Sequence, residues 1–257
     1  MKDSTPAAAP APSRRSRAWR CVRRAAVFSV TVVAAYSAIL VNPWILFDHE
    51  VRAENVVFHA RDPFPPEAGA IARAARERVA RSPFFDPGDE YHVYFCDTPA
   101  FFAFFALWNR GVGAVAQVGV TGNVFMRPSR IERDRLLGPS GNEVPGERTL
   151  TYFVAHELTH TMVARRLGRI AYFGLETWQQ EGYADFIGKG GEFDYDSALD
   201  GFRAGRRELD PAASGLYLRY HLFTEHLLLR RGLGAEDLLG EPRDPAPIER
   251  ELLGEIR

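Results

Sequence analysis

Tyr152-Phe153-Val154-Ala155-His156-Glu157-Leu158-Thr159-His160-Thr161-Met162-Val163-Ala164 is an apolar helical run interrupted by two histidines and a glutamate. Residues four apart lie on one face of a helix, one turn above each other. The His156 and His160 imidazoles can therefore hold one zinc ion, and the Glu157 carboxylate can reach a water on it. Polar groups in such an apolar context cost free energy unless they are paired or bind a metal. Glu181, in Gln180-Glu181-Gly182-Tyr183-Ala184-Asp185, stands 21 residues after His160 and offers a carboxylate as third ligand. Asp185 follows it by one helical turn. It shares a face with Glu181 and can accept a hydrogen bond from a ligand histidine.

HExxH, a gap of about twenty residues and then E-G-x-A-D on a second helix resembles the gluzincin metallopeptidases, thermolysin-like in layout. Trp178 to Asp185 is most similar to their bacterial peptidase MA-like branch, and the resemblance covers roughly residues 147 to 232. It implies Zn2+ held by His156, His160 and Glu181, with Glu157 as general base and Asp185 orienting a ligand histidine. Val163 and Arg166 stand where a metzincin has its Gly and third His, which excludes that group. No G-[AG]-M-E-N segment precedes the helix, so the aminopeptidase branch has no support and an endopeptidase is the better expectation.

Working outward, 257 residues with 46% hydrophobic and 25% charged content suit one globular domain plus a short extra segment. The net charge of −1 conceals an asymmetry. Of 32 basic and 33 acidic residues, seven and one lie in residues 1–24, leaving 25 and 32 for the remainder. Nothing there suggests a nucleic-acid-binding domain. Ala25 to Phe47 follows without a charge, and 23 helical residues rise about 34 Å, enough to cross a bilayer core. Arg20, Arg23 and Arg24 before it place the amino terminus in the cytoplasm, and Trp44 suits the interface. The length favours an uncleaved signal anchor over a cleaved signal peptide. Three segments are expected: a disordered basic cytoplasmic tail over 1–24, a transmembrane helix over 25–47, and a peptidase domain over 48–257 outside the cytoplasm, periplasmic in a bacterium. Cys21 and Cys96 fall on opposite sides of the membrane in this topology and cannot pair.

Strands are expected over residues 54–60, 90–96 and 123–127, and a helix over 68–81. The resemblance suggests residues 123–127 as the edge strand that pairs with an extended substrate. Thr98-Pro99 caps a run to Trp108 whose aromatics go nearly all round a helix; core packing is favoured over a membrane- or substrate-facing surface. Gly111 to Gly122 reads as a loop or irregular hairpin and Ser129 to Leu137 as a short helix. Gly188 to Gly215 reads as a loop with a short helical piece, Leu216 to Arg231 as a final helix, and Pro242 to Arg257 as a mobile segment ending in a short helix. On the final helix Tyr217, Tyr220, His221 and Thr224 share a stripe. The resemblance points to Tyr217 as the oxyanion-stabilising residue; Tyr220 and His221 stay open beside it.

The expected fold is α+β: an N-terminal transmembrane helix, then a zincin-like domain with a small mixed sheet and a helical C-terminal half. The expected activity is zinc-dependent hydrolysis of peptide or protein substrates. The alternative is a non-catalytic membrane-anchored scaffold with a zinc-stabilised peptidase-like fold. Glu157 weighs against it, since a structural site needs no base and usually has four protein ligands.

Overall fold

Five strands form one mixed sheet in the order β1 (His49–Ala53), β2 (Val56–Ala60), β3 (Tyr91–Phe95), β5 (Val124–Met126), β4 (Ala114–Ala116). The computed structural model describes residues 14–107 and 109–255. Strands β2, β3 and β5 run parallel, while β1 and β4 are antiparallel at the two edges. A parallel pair needs a crossover. Helix α2 (Ala68–Val79) supplies it between β2 and β3 and buries Ile71, Ala72, Ala75 and Val79. Pleating sends Val56, Phe58, Val93, Val124 and Met126 to the inner core face. His59, Tyr94 and Phe125 take the outer face, where Tyr94 and Phe125 stack at 5.2 Å.

Helix α3 (Pro99–Ala106) covers that outer face. Thr98 accepts from the Phe101 N–H as N-cap, and Phe105 lies parallel on Phe125 at 4.0 Å. Core packing thus accounts for Phe102 and Phe105, whereas Phe104 is exposed. Trp108 lies outside the described residues.

The chain divides into two units, residues 1–43 and 44–257. In the first unit α1 (Arg14–Val41) is one helix, and Val22–Val41 is long and apolar enough to cross a membrane. The 25–47 expectation is therefore corrected at its carboxyl end. A 3-10 turn over Pro43–Leu46 ends the helix, and Phe47 packs against Tyr94, Phe101 and Phe105 in the second unit. The tail expected over 1–24 is corrected too, since Arg14 to Arg24 belong to α1; residues 1–13 lie outside the described residues.

Other expectations change. Residues 123–127 do not form the edge, because β4 pairs outside them and is itself the free edge; its three residues were too short an apolar segment to register. Ser129 to Leu137 is a hairpin of β6 (Ser129–Arg130) and β7 (Arg135–Leu136), not a helix, with Asp134 at φ 53° in the turn. Asp134 then caps α4 (Leu150–Leu167) by accepting from the Thr151 N–H at 2.7 Å. Beyond α4 come α5 (Arg169–Gly174), α6 (Thr177–Lys189), α7 (Tyr195–Arg203), α8 (Pro211–Ser214), α9 (Leu218–Glu225), α10 (Ala235–Leu238) and α11 (Ala246–Leu252). The final helix is α9 followed by a π-helical turn over His226–Arg230. The tail is pinned rather than loose: Gln179 on α6 donates to the Leu238 and Glu241 carbonyls and accepts from the Arg243 N–H. Leu252 and Ile248 of α11 are buried.

Candidate metal centre

Helix α4 crosses the core with nearly every residue from Leu150 to Ala164 buried, which explains its apolar run on all sides. Gly168, at φ 84°, lets the chain leave α4 and turn into α5. Helix α6 packs on α4. Gly188 lies against Tyr152 and His156, where a Cβ would meet the His156 Cβ at 3.3 Å. Gly182 faces α9, where a Cβ would meet the Tyr220 carbonyl oxygen at 2.5 Å.

This packing brings His156, His160 and Glu181 together, with one donor atom from each within 4.8 Å of the others. The two Nε2 atoms are 3.2 Å apart, and Glu181 Oε2 is 3.3 Å from His156 Nε2 and 3.8 Å from that of His160. Two imidazoles and one carboxylate are a donor set that zinc takes readily. Burial works against charge on all three. The Glu181 contact overcomes it at His156 and raises that imidazole, while His160 and then His156 lower the Glu181 carboxyl. Burial drives His160 down to about 4.

Both Nδ1 atoms lie near tyrosine hydroxyls, and a hydroxyl that accepts from a protonated Nδ1 leaves Nε2 free. Tyr172 OH is 2.7 Å from His160 Nδ1, and Tyr152 OH is 3.5 Å from His156 Nδ1. Tyr152 donates in turn to Asp185 Oδ1. Asp185 was expected to bond a ligand histidine. It reaches His156 only through Tyr152, and its other oxygen takes His221 Nδ1 at 2.9 Å and Lys189 Nζ at 3.1 Å. Burial disfavours the Asp185 charge, but these donors prevail and hold its carboxyl well below the usual range.

Glu157 points the other way, to the sheet edge, where the Ala116 N–H donates to Oε2 at 2.9 Å. Burial raises its carboxyl to about 7. A cleft of about 740 Å³ runs along β4 and is lined by Ala114, Ala116, His156, Glu157, His160 and Glu181.

The three aromatic candidates now separate. Tyr217 lines the cleft, hydrogen-bonds Glu181 and lies parallel to His156 at 5.9 Å. Tyr220 stacks behind it at 6.1 Å. His221 is buried between Asp185 and Glu225. Sequence reasoning missed Tyr152, Tyr172 and Ala116. Tyr152 was within reach, one turn before His156 on the same face; Tyr172 comes from a separate helix and no spacing rule finds it. The chain matches no family model, no curated protein and no solved structure.

Proposed function

We propose that this chain is a membrane-anchored zinc peptidase with a zincin-like domain outside the cytoplasm. The observation that carries the reading is the convergence of two histidines and Glu181 beside a buried carboxylate, Glu157, tied to the free edge of a sheet. The apolar Val22–Val41 segment supports the anchor, and the arginines before it support a cytoplasmic amino terminus.

His156, His160 and Glu181 would hold the ion, which supplies an acidified water and electrophilic polarisation of a carbonyl. The residues do the rest. Arg127 donates to the Gly113 carbonyl and Gln117 to that of Asn123. In an antiparallel ladder this turns residues 113, 115 and 117 towards β5 and residues 114 and 116 towards the cleft. An extended substrate can pair with the Ala114 N–H and C=O and the Ala116 C=O. Glu157, beside that strand, takes a proton on its carboxylate and passes it to the leaving nitrogen. The Tyr217 hydroxyl, facing the same space, donates to the oxygen of the attacked carbonyl as charge develops there.

Glu157→Gln is expected to abolish hydrolysis of casein and leave zinc bound; full activity in that variant would refute the assignment. Glu181→Ala is expected to lower the metal content of the purified protein, and an unchanged zinc-to-protein ratio rules the ligand out.

A further inference from the structure

Arg127 directly follows β5, the strand inside the β4 edge, and is 5% exposed. Its guanidinium lies over the Phe102 ring at 5.5 Å, Nη1 donates to the Val112 carbonyl at 3.4 Å, and the buried Nε has no partner. Among the described residues no carboxylate forms an ion pair with it, whereas nearby Arg130 and Arg133 share Glu143. A buried cation without an anion is costly, and burial accordingly lowers its pKa.

The place of this cation gives the cost a use. Arg127 and the half-buried Arg148 both line the cleft. They flank Gly113: the Arg127 N–H donates to its carbonyl, and Arg148 stacks at 5.7 Å on Phe153, the ring against which a Gly113 Cβ would press at 3.1 Å. Gly113 lies three strand residues from Ala116, which holds Glu157, a distance of about 10 Å along β4. Residues 25 to 257 are acidic overall, so two arginines without a carboxylate at one end of this cleft depart from the surrounding charge.

We propose that Arg127, with Arg148 beside it, is a carboxylate-binding subsite of the cleft. It selects peptides with an acidic side chain or a free carboxy terminus about three residues from the bond at the metal centre. The selection of peptides rests on the peptidase reading; the anion site does not. A guanidinium fork matches a carboxylate bidentately, and a desolvated charge-assisted pair is worth about 10- to 100-fold in affinity.

The test uses the full chain in detergent micelles, with Glu157→Gln to stop turnover, and fluorescence anisotropy of three labelled hexapeptides. One is neutral and amidated, one amidated with a single glutamate, and one neutral with a free carboxy terminus. Binding of either carboxylate peptide about 10-fold or more tighter than the neutral amide supports the subsite. The glutamate peptide marks a side chain as the source, and the free-terminus peptide a chain end. Adding Arg127→Met is expected to bring all three within about twofold, while Arg148→Glu weakens the preferred peptide at least about threefold with the buried cation kept. Equal binding of the three peptides overturns the proposal. Removing an uncompensated buried cation is expected to leave the thermal midpoint unchanged or raise it; a marked fall in Arg127→Met makes the arginine structural and overturns the proposal as well. If wild-type protein cleaves nothing but shows the same preference, the peptidase reading fails and the anion site stands.

Discussion

Gly182→Ala sets two known effects against each other. Alanine is the better helix former by about 1 kcal/mol in a helix interior, which would stabilise α6. The added methyl would meet the Tyr220 carbonyl oxygen and Thr224 Oγ1, each at 2.5 Å, where ordinary contact begins at 3.4 Å. One of these obstacles is backbone, so α6 and α9 must part by roughly 1 Å. Overpacking of this kind costs about 1–3 kcal/mol, and an immovable carbonyl places it near the upper end. The net loss is about 2 kcal/mol, or a fall of about 4–8 °C in thermal midpoint for a domain of this size. The same displacement separates Glu181, next to the substituted position, from Tyr217 at the start of α9. Zinc content at limiting metal should therefore fall together with the midpoint, which differential scanning fluorimetry and metal analysis would read on one sample. A midpoint that rises, with zinc content unchanged, would show that helix propensity wins and that the close approach is not required.

Two further substitutions probe the groups behind the ligands. Tyr172→Phe removes only the hydroxyl on His160 Nδ1 and should weaken zinc binding about 10- to 100-fold with the fold intact; unchanged affinity in a chelator competition would show that this hydroxyl does not orient the imidazole. Asp185→Asn leaves Lys189 buried without its anion and should cost about 3–5 kcal/mol at pH 7. Since the folded-state carboxyl titrates below its unfolded value, its contribution is full above about pH 4 and is lost as pH falls through the folded-state pKa. Urea denaturation of the two proteins at a series of pH values should show curves that run parallel above about pH 4 and converge below it; a gap that widens in acid would contradict the assignment.

The candidate metal ligands were legible because a helix converts spacing into direction. His156 and His160 had to share a face, and Glu181 and Asp185 had to share another, whatever the rest of the chain did. The strands of the parallel core were legible too, as β-branched and aromatic residues are concentrated along residues 56–60 and 91–95. What failed was local sequence without periodicity. Strand β4 is three small residues among glycines, and only its pairing with β5 makes it a strand. The hairpin at 129–136 is set by a left-handed Asp134 that no propensity announces. Pairwise spacing could not show that Tyr152 stands between Asp185 and His156, or that His221 bonds Asp185. The route that connects these side chains is a tertiary fact.

The clasp formed by Gln179 makes the far end of the chain matter at the candidate metal centre. Gln179 is fully buried and Trp178 donates its indole N–H to the Arg243 carbonyl at 2.8 Å, so two neighbours of Glu181 spend their hydrogen bonds on residues 238–243. Cleavage or deletion in that stretch would orphan several interior polar groups at once. Glu181 would then sit on a helix with no backing, so on the zinc reading a proteolytic nick more than fifty residues downstream of it would register as weaker metal binding.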